Sequence, residues 1–116
     1  MRNPNPTSVP SEDRELMRAF ARRETRAFDE LFERFGGSIY GLGWRLFDDE
    51  DVAGAFLERV FVRLSARAAR YGSSPVPLET WVALLALAVS IEMADERDGR
   101  RTDVRRMLDD PEPAVA

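Results

Sequence analysis

Apolar residues along this chain recur three and four positions apart and never alternate with polar ones over a strand's length, so every predicted element is a helix. Leu16, Met17 and Phe20 mark the first, with Ser11 as its N-cap and Glu12, Asp13 and Glu15 in the first turn, where the helix dipole favours anions. Phe28, Leu31, Phe32 and Phe35 make an i, i+3, i+4, i+7 stripe behind Thr25, and Gly36-Gly37 is expected to stop that second helix. Ile39, Tyr40, Leu42, Leu46 and Phe47 give a short third helix, loosened by Gly41 and Gly43 and closed by Asp48-Asp49-Glu50-Asp51. The acidic run opens the clearest amphipathic segment, in which Val52, Phe56, Val60, Phe61 and Leu64 share a face while Glu58, Arg59, Arg63 and Arg67 are expected to point away. Tyr71-Gly72-Ser73-Ser74-Pro75 breaks the chain, and a last helix is predicted from Leu78 to about Arg97.

The expected fold class is therefore all-α, a compact bundle of about five helices joined by short loops. Residues 1–10, with three prolines and no apolar period, read as a flexible leader, and 11–101 as the folded domain. Residues 102–116 read as a flexible acidic tail, because Asp110-Pro111-Glu112-Pro113 forbids a regular helix.

The last helix has an unusual pattern. From Trp81 to Ala94, twelve of fourteen residues are apolar, so the apolar character runs most of the way round. Fourteen helical residues span about 21 Å, short of the roughly 30 Å hydrocarbon core, so no membrane span is expected. Two readings remain. Either the helix is buried on nearly all sides, or it packs inward through Trp81, Val82, Leu85 and Val89 while Leu84, Leu87 and Ile91 meet a partner.

Composition narrows the chemistry. The 116 residues include no cysteine and no histidine, which removes disulfides, the usual zinc ligands and the Ser-His and Cys-His nucleophile pairs. No catalytic residue, metal or cofactor is expected. All 17 basic residues are arginine, each a planar fork suited to carboxylate or phosphate. The net charge of −4 is unevenly placed: residues 1–76 hold 12 arginines and 12 acids, whereas 77–116 hold 5 arginines and 9 acids. Asp48, Asp49 and Asp51 could be drawn as a hard-cation site, but they lack the spacing of a calcium loop and read better as a solvated helix start. Arg100 and Arg101 could touch phosphate, although the acids interleaved with them favour a solvated face. Trp44 and Trp81 could stack on an unpaired base, but their helical spacing beside leucines favours a place in the core.

The order of the pieces is more specific than any one of them. Asp13-Arg14-Glu15-Leu16, then Arg26-Ala27-Phe28-Asp29-Glu30-Leu31-Phe32-Glu33-Arg34-Phe35-Gly36, then Ile39-Tyr40-Gly41-Leu42, resembles the opening of region 2 of the extracytoplasmic-function sigma-70-type sigma factors. Asp48-Asp49-Glu50-Asp51 followed by Glu58-Arg59-Val60-Phe61-Val62-Arg63-Leu64 resembles that family's core-binding helix, and Leu78-Glu79-Thr80-Trp81-Val82 the start of its promoter-melting helix. The resemblance covers about residues 12–101 and implies a cytoplasmic, bacterial, non-enzymatic transcription protein. Region 4, the family's helix-turn-helix domain, has no counterpart in the fifteen residues after Arg101.

By that resemblance, Asp48, Asp49, Asp51, Glu58, Arg59 and Arg63 are candidate contacts to the RNA polymerase core, and Trp81, Arg100 and Arg101 candidate residual contacts to nucleic acid. Departures from the family pattern fall on the same helices. The family's acidic pair becomes Gly54 and Ala55 and its Gln-Glu pair Glu58 and Arg59, while two arginines of its promoter helix fall on Leu84 and Leu87 and an asparagine on Ala88. Leucine offers neither phosphate contacts nor base readout. The expectation is a protein-binding module with weakened or lost minus-ten recognition, whose partner is polymerase core, a sigma or anti-sigma protein, or a second copy. The alternative is a truncated sigma factor that still binds polymerase and promotes initiation.

Overall fold

A computed structural model describes residues 11–109, with side chains for all of these except Ser73 and 100–109. Among the described residues there is no strand. The first helix, α1, is Ser11–Ala21 and buries Leu16, Met17 and Phe20, as their spacing predicts. It closes on Arg23 in the left-handed region (φ 64), with the Glu24 amide donating to Ala19 O at 3.1 Å and the Arg23 amide to Phe20 O at 2.9 Å. Ser11, the first of the described residues, is itself helical rather than a cap outside the helix.

Gly36-Gly37 does not stop the second helix. Both glycines hold right-handed helical angles (φ −59, ψ −44 and φ −65, ψ −40), and Thr25–Leu31, a π-helical turn Phe32–Gly36 and Gly37–Phe47 run on as one helix, α2, over 25–47. Among the described residues the bundle therefore has four helices where about five were expected. A helical residue needs no breaker's freedom unless the chain turns, and here the π turn takes up one extra residue without leaving the helix. A Cβ on Gly36 would stand 3.1 Å from the Phe32 ring, so this glycine serves a close approach rather than a stop. The π turn also divides the predicted aromatic stripe. Leu31 and Phe35 are buried, whereas Phe28 and Phe32 stay 42% and 41% exposed.

Asp48 ends α2 in the left-handed region (φ 52), and Asp49 caps the third helix, α3, Glu50–Arg67, by accepting a hydrogen bond from the Val52 amide at 3.0 Å. These acids thus belong to a tight helix–helix corner. Across it, α2 and α3 meet at Gly43, where an added Cβ would lie 3.0 Å from Phe56 and 3.1 Å from the Ala53 Cα. Gly43 is a contact that lets two backbones approach, not a loosening of the helix. Phe56, Val60, Phe61 and Leu64 carry the inner face of α3 into the core with Met17, Leu31 and Val89.

A 3-10 turn, Ala68–Ser73, and a short connection lead to the last helix, α4, Leu78–Asp109. Tyr71 is fully buried under this connection, and its hydroxyl donates to Val76 O at 2.8 Å. At 32 residues, α4 runs twelve residues past the predicted end, so 102–109 are helical rather than part of a flexible tail. The prolines that forbid a regular helix begin only at Pro111, and the charged residues before them do not break one. The leader 1–10 and residues 110–116 lie outside the described residues. No described helix is long and apolar enough to cross a membrane.

The Gly43 approach yields a paired expectation. Gly43→Ala should lower the denaturant midpoint by an amount equivalent to about 1–3 kcal/mol, the usual range for overpacking. Gly41→Ala, where nothing lies within 4 Å of the added Cβ, should be neutral or stabilising by up to about 1 kcal/mol. A Gly43→Ala variant as stable as Gly41→Ala would show that helix propensity, not the contact with Ala53, governs this crossing.

Candidate interaction surfaces

The face of α4 turned to the bundle carries Val82, Leu85, Ala86, Val89 and Met93, all buried. On the opposite face, Leu84 and Leu87 are each 55% exposed and Ile91 54%. Of the two readings of this helix, the one with an inner and an outer apolar side is the one observed, and burial on nearly all sides is not. Ala83, Ala88 and Ala94 are also exposed and fill out the outer stripe, which passes into Asp95 and Asp98. Trp81 is half-buried, its ring 5.0 Å from that of Tyr71, so it belongs to the margin of the core. Trp44 is 39% exposed near the end of α2, outside the core where its spacing put it.

Arg59 and Arg63 do not point away from the protein. Arg63 donates two hydrogen bonds of 2.7 Å to the two Glu92 oxygens, and Arg59 donates at 2.8 and 3.1 Å to Glu96. Both are fork-to-fork pairs of the kind arginine favours with carboxylates. Spacing within α3 alone could not reveal them, because their partners lie 29 and 37 residues downstream. Two of the candidate polymerase contacts are thereby paired with α4, and the Asp49 carboxylate with the Val52 amide at the corner, where the Asp48 side chain is exposed. Asp51 and Glu58 remain exposed. Arg100 and Arg101 are helical, but their side chains lie outside the described ones.

Sequence reasoning missed a three-helix ion network. Arg34, in the π turn, donates to both Asp13 oxygens of α1 at 2.8 and 3.3 Å and also to Glu79 in the first turn of α4. The Asp13 side chain is only 10% exposed. The hydrogen bond from Arg34 holds the Glu79 carboxyl below its ordinary value of 4.5, and that from Arg63 does the same for Glu92. Arg14 adds hydrogen bonds to the Gly72 and Ser74 carbonyls of the connection before α4. No sequence signal marks this network, since its members stand 21 and 45 residues apart.

A second surface was also missed. Phe28, Phe32 and Phe61 meet with ring centroids 5.5 to 5.8 Å apart, forming with Phe20, Leu57 and Val62 an open groove of about 390 Å³ between α2 and α3. Glu58 is the one charged residue lining it. Val62, 63% exposed, was the available signal, as an apolar residue off the buried face of α3. Among the described residues, no group of three or more acids is placed to hold a metal ion. Comparison of the chain with family models, with curated proteins and with solved structures finds no match.

The network makes stability depend on pH and on one cation. Because Glu79 and Glu92 have lowered folded-state values, their stabilisation is complete above about pH 4.5 and is lost as pH falls through those values. The thermal midpoint should be level from about pH 8 to pH 6 and fall below about pH 4.5, with a shallower fall in Glu79→Gln. Arg34→Ala, which strands Asp13, should cost about 2–3 kcal/mol in urea unfolding at neutral pH. A cost within about 0.5 kcal/mol would reduce the network to an exposed ion pair.

Proposed function

We propose that this chain is a sigma-70 region 2-like, non-enzymatic, transcription-related protein that acts in the cytoplasm as a protein-binding module, with minus-ten DNA recognition weakened or lost. The observation that carries the reading is the outer face of α4, the helix that the resemblance assigns to promoter melting. There the exposed side chains are Leu84, Leu87 and Ile91, with Asp95 and Asp98 beyond them. Phosphate and base contacts call for arginine, lysine or amide side chains, and an apolar stripe calls for another apolar surface. The pairing of Arg59 and Arg63 with Glu92 and Glu96 supports the same reading, since it occupies cations that a nucleic acid would need.

One observation favours the alternative of a truncated sigma factor that still engages polymerase core. The apolar groove beside Glu58 lies on α3, the helix that the resemblance assigns to polymerase binding. The two readings separate in one assay. With purified polymerase core and labelled minus-ten promoter DNA, single- and double-stranded, the module reading expects no DNA binding that depends on the chain and no promoter opening, whether or not Trp81→Ala or Arg100→Ala is introduced. Promoter opening only when the chain is added would establish the alternative.

A further inference from the structure

We infer that the outer stripe of α4 pairs with the same stripe of a second copy, the two helices running antiparallel about a two-fold axis between Leu87 and Ala88. The inference rests on the reading of this face as a protein-binding surface and names its partner. Its first ground is shape. In that register Leu84 of one copy faces Ile91 of the other, and each Leu87 lies over an exposed Ala88, so large meets large at the flanks and large meets small at the axis.

The second ground is charge. The acids of the stripe, Asp95 and Asp98, lie only at its C-terminal end, while the N-terminal end offers Thr80 and the start of the helix. Antiparallel pairing sets Asp95 opposite Thr80 and Asp98 beside the first turn of the second α4, the positive end of its dipole. Parallel pairing would set each aspartate against its own copy. The third ground is area. Three long side chains about half exposed, with alanines between them, offer on the order of 500 Å² per copy, about 1,000 Å² in the pair, which is the lower end of specific interfaces. Interfaces at that end of the range are the weak, transient ones, and the expectation for the pair is a reversible dimer with a Kd on the order of 10 µM.

The absence of cysteine makes the register directly readable. Sedimentation equilibrium of the full chain should show a monomer–dimer equilibrium, and Leu87→Asp should shift it to monomer with helical circular dichroism unchanged. Under mild oxidation Ala88→Cys should form a disulfide-linked dimer and Thr80→Cys alone should not, whereas a mixture of Thr80→Cys and Asp95→Cys chains should cross-link. A monomer at about ten times the expected Kd overturns self-pairing. Efficient cross-linking of Thr80→Cys with itself overturns the antiparallel register, and an undiminished dimer in Leu87→Asp overturns the use of this face. Promoter opening in the polymerase assay would instead remove the module reading, whatever the oligomeric state.

Discussion

Arg34 joins three of the four helices through one guanidinium. Asp13 is nearly buried on α1 and needs a cation; Glu79 sits at the start of α4; and Arg34 reaches both from the π turn of α2, with the Phe35 ring 5.0 Å beneath it. A buried carboxylate without such a partner would cost about 2–3 kcal/mol, so the docking of α1 against α2 and the position of the α4 start are settled together. Arg14 steadies the preceding connection by capping carbonyls of Gly72 and Ser74. The direction in which α4 leaves this junction decides which side of its apolar sequence is covered and which is left outside.

Much of the fold is legible in the residues. The spacing of Leu16, Met17 and Phe20, of Phe56, Val60, Phe61 and Leu64, and of Val82, Leu85 and Val89 identifies their buried faces, because each helix has to cover one apolar side. The breaks were harder to read. Gly36-Gly37 looks like a stop because glycine is permissive, but permission to leave a helix is not an instruction to do so, and both glycines hold right-handed helical angles. Charge was legible as an amount and not as a place. Arg59 and Arg63 look like a solvated face until α4 is laid beside them, and Asp13, Arg34 and Glu79 have no shared local pattern at all. The split of α4 into an inner and an outer side could be drawn from periodicity, but choosing it over complete burial needed the count of helices available to surround it.

The acidity of the last third of the chain also changes meaning in three dimensions. Glu79, Glu92 and Glu96 are matched by arginines from α2 and α3, so a large part of the local excess is balanced within the bundle. What α4 turns outward is consequently less an acidic face than an apolar stripe with an acidic end. That distinction matters for recognition, since a broad negative field would repel most surfaces of like sign, whereas a stripe with one charged end specifies an orientation.

The π turn between Leu31 and Gly37 has a consequence for how this sequence can change over time. A π turn holds one residue more than an α turn, so removing one residue from it would restore α-helical winding and leave the rotation of everything beyond nearly unchanged. Gly43 would still face Ala53 and the corner built by Asp48 and Asp49 would keep its aim, whereas a residue lost from the α-helical stretch that follows would rotate both by about 100°. Within α2 this turn is therefore where the chain can lose a residue, Arg34 apart, and still present the same faces to α3 and α4.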